Sequence, residues 1–209
     1  MNRPGRVCVA GVGTEVGKTW VSARLLEALQ AQGLRVAARK PVQSFDPAES
    51  VPTDAEVLAA ATGEAPHDVC PAHRWYRVPM APPMAAEATG LATFTAAELI
   101  AETSWPASAD VILVETVGGV RSPLADDADS AEFAKLLAPD QTLLVADAGL
   151  GTINAVRLSL DALAGLDPIV FLNRYDEVNE LHRRNLDWLV IRDARRVITT
   201  VDDLVARMV

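Results

Sequence analysis

The sequence lacks the features of secreted and membrane-spanning proteins. Its 209 residues include two cysteines, Cys8 and Cys70, and no charged amino-terminal segment leads into a long apolar run. Because two cysteines provide no disulfide framework, we expect a reducing, cytoplasmic setting. No apolar run approaches the roughly 18 residues needed to cross a bilayer, which argues against a membrane protein.

The chain is also short of positive charge. Lys and Arg together number 19 against 28 Asp and Glu, which gives a formal net charge of −9. Nucleic acid is therefore not expected as a partner, since phosphate backbones require clustered Lys and Arg. A small anionic ligand remains compatible with this charge, because loop dipoles and a few lysines control the field within a site.

Apolar residues, by contrast, are abundant and regularly placed. They make up 50% of the sequence, which is enough for one domain spanning residues 1–209. Short apolar runs predict strands at Arg6–Ala10, Val36–Lys40, Val111–Glu115, Thr142–Asp147, Ile169–Asn173 and Val197–Thr200. Longer segments predict helices at Thr19–Ala31, Asp54–Thr62, Ala96–Thr103, Ala131–Leu137, Ile153–Ala164, Asn179–Val190 and Val201–Met208. The alternation predicts an α/β fold with a single doubly wound, mostly parallel sheet, helices on both faces, and a ligand site at the carboxyl ends of the strands.

The stretch Gly11–Thr19 reads GVGTEVGKT and joins the first predicted strand to the first predicted helix. In that context a GKT sequence indicates a phosphate-binding loop, whose backbone N–H groups and following helix end face phosphate oxygens. Lys18 is predicted to reach the outer phosphates, and the Thr19 hydroxyl to bind Mg²⁺. The predicted nucleotide-binding residues in this loop are Gly13, Glu15, Val16, Gly17, Lys18 and Thr19.

The predicted strand Val111–Glu115 ends in a carboxylate, and Gly118 and Gly119 follow it. In a chain with a GKT loop, an acidic residue at the end of a buried strand is predicted to position Mg²⁺. The two glycines allow a ligand to approach the backbone closely. Three further carboxylates follow, at Asp126, Asp127 and Asp129. We interpret this acidic run as a solvated loop before a helix that Ser130 caps.

Three residues near the second predicted strand have two interpretations each. Lys40 ends the strand, Ser44 follows it, and Asp54 opens the next helix. They are either ligand-binding groups at the edge of the sheet or ordinary surface and helix-start residues. The proline-rich segment Pro66–Met84 is predicted to be a long loop that covers substrate. Its histidines lack metal-ligand spacing and are interpreted as surface residues, namely His67 and His73.

Two more strand ends carry polar or glycine-rich turns. The segment Ala148–Asn154 places two glycines before a helix, which indicates either an anion-binding helix start or a tight turn capped by Thr152. Asn173 ends the following strand, where its amide would recognise a base edge or close the turn.

Taken in order along the chain, these motifs resemble ATP-dependent dethiobiotin synthetase. They are GVGTEVGKT, Lys40-Pro41-Val42 with Ser44, Asp54, Val114-Glu115 with Gly118-Gly119, and Gly151-Thr152-Ile153-Asn154. The resemblance covers nearly the whole chain and implies a fold of the P-loop NTPase type. It also implies a homodimer in which the neighbouring subunit helps to enclose the substrate.

The resemblance further implies a role for each matching residue. Lys18, Thr19, Asp54 and Glu115 would hold the triphosphate of ATP and Mg²⁺, while Thr14, Lys40 and Ser44 would surround the reacting amine and carbamate. The helix start at Gly151, Thr152, Ile153 and Asn154 would receive the substrate carboxylate, and Asn173 the adenine. The implied reaction joins 7,8-diaminopelargonate, CO₂ and ATP into the cyclic urea of dethiobiotin, a step of biotin biosynthesis.

The implied chemistry depends on positioning and charge neutralisation rather than on a protein nucleophile. No Ser/His/Asp or Cys/His constellation in the sequence suggests a competing mechanism. The chain departs from the family at Val12 and Gly13, at Thr116 and Val117 where Gly-Ala is common, and in the segment after Asn173. The alternatives are a related ligase acting on another amine and a ParA- or MinD-like ATPase switch, whose signature lysine is replaced here by Gly13.

Overall fold

A computed structural model of the protein describes residues 4–193 and 195–208. The strands are β1 (Gly5–Gly11), β2 (Val36–Arg39), β3 (Gln43–Ser44), β4 (Trp75–Tyr76), β5 (Val111–Glu115), β6 (Pro123–Ala125), β7 (Ala128–Asp129), β8 (Gln141–Asp147), β9 (Ile169–Asn173) and β10 (Val197–Ile198). The helices are α1 (Lys18–Ala31), α2 (Asp54–Thr62), α3 (Pro66–Val69), α4 (Pro82–Ala88), α5 (Ala96–Glu102), α6 (Ser130–Leu137), α7 (Thr152–Ala162), α8 (Glu180–Asp187) and α9 (Val201–Val205).

The central sheet has six strands in the order β10-β9-β8-β1-β5-β2. Every neighbouring pair in it is parallel. Because β1 lies in the middle and later strands are added on both sides of it, the sheet is doubly wound, as predicted. This topology brings the carboxyl ends of β1, β2, β5, β8 and β9 to one edge, where a ligand site is expected.

Two hydrophobic clusters bury the two faces of the sheet. Along β1, Cys8 and Ala10 belong to one cluster, whereas Val7 and Val9 belong to the other. The first cluster includes side chains from α5, α6 and α7, and the second includes side chains from α1, α2 and α9. Successive strand residues point to opposite faces, so burial of both faces explains why these strands read as continuous apolar runs.

The segment Pro66–Met84 differs from its prediction as a long loop. It contains the short helix α3, a 3₁₀ turn at Ala72–Arg74, strand β4 and the first residues of α4. Proline opens both helices, at Pro66 and Pro82, where its fixed φ angle suits the first helical turn. The two helices have less than two turns each and the strand has two residues. Segments this short show no periodic hydrophobic pattern in the sequence.

Several boundaries also differ from the sequence-based expectation. The helix that begins at Ser130 is capped by Asp129, whose side chain accepts a hydrogen bond from the Glu132 N–H, so the prediction of Ser130 as the cap is wrong. Helix α8 ends at Asp187, and a π-helical turn follows it over Trp188–Arg192. Within residues 4–193 and 195–208, no helix combines the length and the apolar character needed to cross a membrane.

Candidate functional site

The phosphate loop joins β1 to α1, as its sequence predicts. Gly17 precedes the helix with a φ of 91°, a left-handed conformation that glycine adopts without strain. The Lys18 ammonium folds back over the loop and donates to the carbonyls of Gly13 at 3.1 Å and Gly118 at 2.7 Å. Burial, reinforced by the nearby charge of Lys40, lowers the pKa of Lys18 to about 8. The loop therefore presents a partly desolvated cation beside its backbone amides.

Three oxygen-bearing side chains converge next to this lysine. The Thr19 hydroxyl lies 2.7 Å from Asp54 Oδ1 and 2.9 Å from Glu115 Oε1. Glu115 is fully buried, and the Ser22 hydroxyl donates to its other oxygen at 2.9 Å. Two carboxylates and a hydroxyl are hard oxygen donors of the kind that Mg²⁺ takes alongside substrate phosphates. The donor set therefore fits Mg²⁺, although the described residues contain no group of three or more His, Cys, Asp and Glu side chains able to hold a metal.

Lys40 bridges the two carboxylates of this set. Its ammonium lies 2.7 Å from Asp54 Oδ2 and 2.8 Å from Glu115 Oε1, and it donates to the Thr116 carbonyl at 3.0 Å. Although burial opposes the charge, the two carboxylates raise the pKa of Lys40 above its ordinary value. Lys40 in turn lowers the pKa of Asp54 against the opposite effect of burial. The surface-lysine interpretation is thus wrong, because Lys40 is a buried, charged member of the cluster.

A cavity of about 770 Å³ opens over these groups. Predicted site residues that line it are Thr14, Glu15, Gly17, Lys18, Thr19, Lys40, Ser44, Asp54 and Gly118. The Ser44 hydroxyl donates to the Met80 carbonyl at 2.5 Å, which ties β3 to the segment that forms one rim. Residues from Pro79 to Pro82 line that rim, so part of the proline-rich segment does border the cavity.

A second cavity of about 520 Å³ shares Gly17 and Arg174 with the first. Asn173 lines it and donates from Nδ2 to the Val16 carbonyl at 2.9 Å. Among the described residues, no group donates a hydrogen bond to the Asn173 carboxamide oxygen. Two cavities therefore meet at Gly17 of the phosphate loop, and Asn173 lines the second.

Three predicted residues contribute without lining either cavity. Gly13 and Val16 act through their carbonyls, which accept hydrogen bonds from Lys18 and Asn173. Glu115 lies beneath the first cavity and reaches it through Thr19 and Lys40. The loop and the acidic strand are thus joined into one hydrogen-bonded unit.

The predicted carboxylate site at the start of α7 lies apart from both cavities. Gly151, Thr152, Ile153 and Asn154 are absent from the linings of both. Gly151 caps α7 with a φ of 90° and no side-chain hydrogen bond, and Thr152 Oγ1 is buried without a partner among the described residues. Thr152 is therefore the first residue of the helix and not its cap.

The structure adds residues that the sequence-based prediction missed. Gln43 lines the first cavity with a buried Nε2 that has no hydrogen-bond partner among the described residues. Arg174 lines both cavities and donates to the Glu15 carbonyl at 3.0 Å and to Asp147 at 3.0 Å. Gln43 is next to Ser44 and Arg174 is next to Asn173 in the sequence. Their position beside a predicted site residue at a strand end is the sequence feature that could have identified them. His67 and His73 are exposed, as expected for surface residues.

Comparison with solved structures identifies the fold. Chloroplast FtsY from Physcomitrella patens matches with a TM-score of 0.54 and 20% identity, over 97% of this chain and 61% of that chain. The 54 kDa signal recognition particle protein from Aeropyrum pernix K1, in complex with GDP, matches with a TM-score of 0.50 and 17% identity, over 96% and 43%. The chain thus spans less than two thirds of each. At such low identity these likenesses show the fold alone, and they confirm the P-loop NTPase type.

Sequence comparisons identify the family. A family model described as an AAA domain matches residues 5–168. The ATP-dependent dethiobiotin synthetase BioD of Caulobacter vibrioides is 43% identical over 161 residues, covering 74% of this chain and 72% of the relative. The enzymes of the same name from Anaeromyxobacter dehalogenans and Aromatoleum aromaticum are 35% and 33% identical, covering 87% and 90% of this chain and 87% and 88% of the relatives. The chain therefore belongs to the ATP-dependent dethiobiotin synthetase BioD family.

Proposed function

We propose that this protein is an ATP- and Mg²⁺-dependent cyclo-ligase that converts 7,8-diaminopelargonate and CO₂ into dethiobiotin. The observation that carries the proposal is that Lys18, Lys40 and Asp54 line the larger cavity and that Glu115, beneath it, contacts Lys40 and Thr19. Membership of the dethiobiotin synthetase family supports it. We also propose that residues 1–209 form a single ligase domain.

The two cavities suggest how ATP would lie. The triphosphate would occupy the amide-rich loop between Gly13 and Thr19, with Lys18 neutralising its outer phosphates. The base would enter the second cavity, where the carboxamide oxygen of Asn173 can accept a hydrogen bond from the adenine amino group. Gly17 lies at the junction, so one nucleotide can occupy both spaces.

Thr19, Asp54 and Glu115 are the residues that would hold Mg²⁺. Bound there, the ion would supply charge neutralisation to the phosphates during phosphoryl transfer. The protein prepares the site in two ways. Hydrogen bonds from Thr19 and Ser22 orient Glu115, and the Lys40 ammonium pairs with both carboxylates and holds them close together.

The reaction that we propose needs positioned charge at the reacting amines. One amine of the substrate captures CO₂ as a carbamate, and the γ-phosphoryl group passes to a carbamate oxygen with release of ADP. The second amine then attacks the carbamate carbon, and the cyclic urea forms as phosphate leaves. Lys40 would stabilise the negative charge on the carbamate, while Thr14 and Ser44 would orient the amines from the cavity wall.

We further propose that a second copy of the chain completes the substrate site. The start of α7 has the glycine-rich form of an anion-binding helix end, yet it lies outside the cavity of its own chain. Leu150, next to it, is 92% exposed. In a two-fold symmetric homodimer, this turn could reach the neighbouring cavity and bind the substrate carboxylate.

The alternative is a related ligase acting on a different amine. Val117 lines the cavity beside Gly118, where a smaller residue is common in the family, and a larger side chain there would leave less space for the substrate. A ParA- or MinD-like switch is a weaker alternative, because Gly13 stands in place of that group's signature lysine. A cytoplasmic location, without nucleic acid or membrane as partner, remains an expectation from composition and charge.

The test is a product assay with purified protein. With Mg-ATP, bicarbonate and 7,8-diaminopelargonate, we expect ADP, phosphate and the cyclic urea in equal amounts, and no turnover when Mg²⁺ is chelated. Glu115→Gln should weaken Mg²⁺-dependent turnover, because it removes a charged ligand of the proposed site. ATP hydrolysis at the same rate with and without the diamine would instead indicate a switch. Turnover with a different diamine, but not with 7,8-diaminopelargonate, would indicate the related ligase.

A further inference from the structure

We propose that the indole of Trp20 is the surface on which the base of the bound nucleotide stacks. Trp20 is the third residue of α1, directly after Lys18 and Thr19, and it lines the second cavity. It is 52% exposed. This inference rests on the proposed function only to the extent that the loop binds a nucleotide.

The position of Trp20 on its helix directs its side chain toward the nucleotide. Side chains of an α-helix slope toward the amino-terminal end, which in α1 is the end at the phosphate loop. Gly17 lines both cavities, so a ligand whose phosphates contact the loop can extend past Gly17 into the space that Trp20 borders. The part of a nucleotide that lies beyond its phosphates is the ribose and the base.

The chemistry of the second cavity suits a flat, neutral, aromatic group. Three aromatic residues line it, Trp20, Phe171 and Tyr175, together with four polar ones, Asn173, Arg174, Thr199 and Thr200. Ligand pockets of this kind combine aromatic walls with a few polar groups that fix orientation. A half-exposed indole in such a cavity presents a large polarisable face that a base would cover.

Stacking and hydrogen bonding divide recognition between two residues. Every base has a π-face, so stacking on an aromatic side chain strengthens binding with little regard to base identity. Hydrogen bonds to base edges discriminate, and Asn173 is the amide placed to make them. Trp20 should therefore raise affinity for ATP and GTP by the same factor, without setting the preference between them.

The experiment compares ligands with and without a base. Dissociation constants of Mg-ATP, Mg-GTP and inorganic tripolyphosphate are measured by calorimetry on the full chain, without diamine. Trp20→Ala should raise the constants of both nucleotides about tenfold and leave that of tripolyphosphate within about twofold. Trp20→Phe should keep most of the nucleotide affinity. Trp188→Ala is the matched control, since Trp188 is also half-exposed but lines neither cavity.

Fluorescence provides a second measurement that does not depend on the alanine variant folding. ATP should quench the emission of the wild-type protein, whereas tripolyphosphate should not, and Trp20→Phe should lose the ATP-dependent change. An unchanged ATP constant in Trp20→Ala, or equal weakening of ATP and tripolyphosphate binding, would overturn the inference. If ATP binding depends on Trp20 but the protein forms no product from the diamine, the proposed function is refuted and the inference about Trp20 stands.

Discussion

The side chains at the centre of the site form a charge cluster in which Lys40 supplies the positive charge that pairs with two carboxylates. Lys40 and Glu115 are 2% and 0% exposed, and Asp54 completes the group from a half-buried position. Paired buried charges contribute little net stability, but a buried charge that loses its partner is strongly destabilising. Lys40 therefore supports the folded state while it also provides charge to the proposed reaction.

We expect Lys40→Met to lower the free energy of unfolding by about 3 kcal/mol, because Glu115 would stay buried with hydroxyl partners alone. The double variant Lys40→Met with Glu115→Gln should regain about half of that loss, since the uncompensated charge is removed. Urea unfolding of the single and double variants without metal measures both quantities. Strictly additive losses would show that the two residues are not coupled in the folded protein.

At the level of single elements, local sequence predicted helix starts well. Thr53 and Glu56 form a capping box on α2, and Thr95 and Glu98 form one on α5. Such a box is a property of four adjacent residues, so it requires no knowledge of the fold. The prediction failed for α3, α4 and β4, which lie in a proline-rich segment without hydrophobic periodicity and depend on packing for their stability.

The turn between β1 and α1 should tolerate no side chain at Gly17. An added Cβ there would lie 2.1 Å from Asn173 Nδ2. Gly17→Ala should therefore displace Asn173 from the Val16 carbonyl, weaken ATP binding at least tenfold and lower the free energy of unfolding by about 2 to 4 kcal/mol.

Gly63→Ala is the control for this variant. Gly63 also has a positive φ, of 79°, but no atom lies within 4 Å of the position its Cβ would take. It should show only the backbone strain of about 1 kcal/mol and unchanged ATP affinity, measured by the same unfolding and binding experiments. Equal effects of the two substitutions would mean that strain, and not the contact with Asn173, determines the result.

For the whole molecule, the doubly wound topology collects the functional groups. Lys18 and Lys40 are 22 positions apart in sequence, and Glu115 and Asn173 lie much further along the chain, yet all four meet at one edge of the sheet. The start of α7 lies outside the cavities of its own chain. A monomer therefore presents most of the proposed site, but not the turn that we propose to bind the substrate carboxylate.

If a second subunit supplies that surface, two inactive variants should complement each other. Lys18→Met should disable the nucleotide half of the site, and Asn154→Asp, at an exposed position, should repel the substrate carboxylate from the other half. After subunit exchange, an equal mixture should recover about a quarter of wild-type turnover, because half of the dimers then contain one intact composite site. If subunits exchange but turnover does not recover, Lys18 and Asn154 act in the site of the same subunit.

Local sequence was sufficient for the alternation of strands and helices, the phosphate loop and the acidic end of β5. Each depends on the spacing of neighbouring residues, and strand order in a doubly wound sheet then limits where the ligand site can lie. Packing alone decided that Lys40 is a buried bridge between Asp54 and Glu115, that Trp20 borders a second cavity, and that the start of α7 stands apart. Burial and pairing arise from contacts between distant segments, and no pattern within a single segment encodes them.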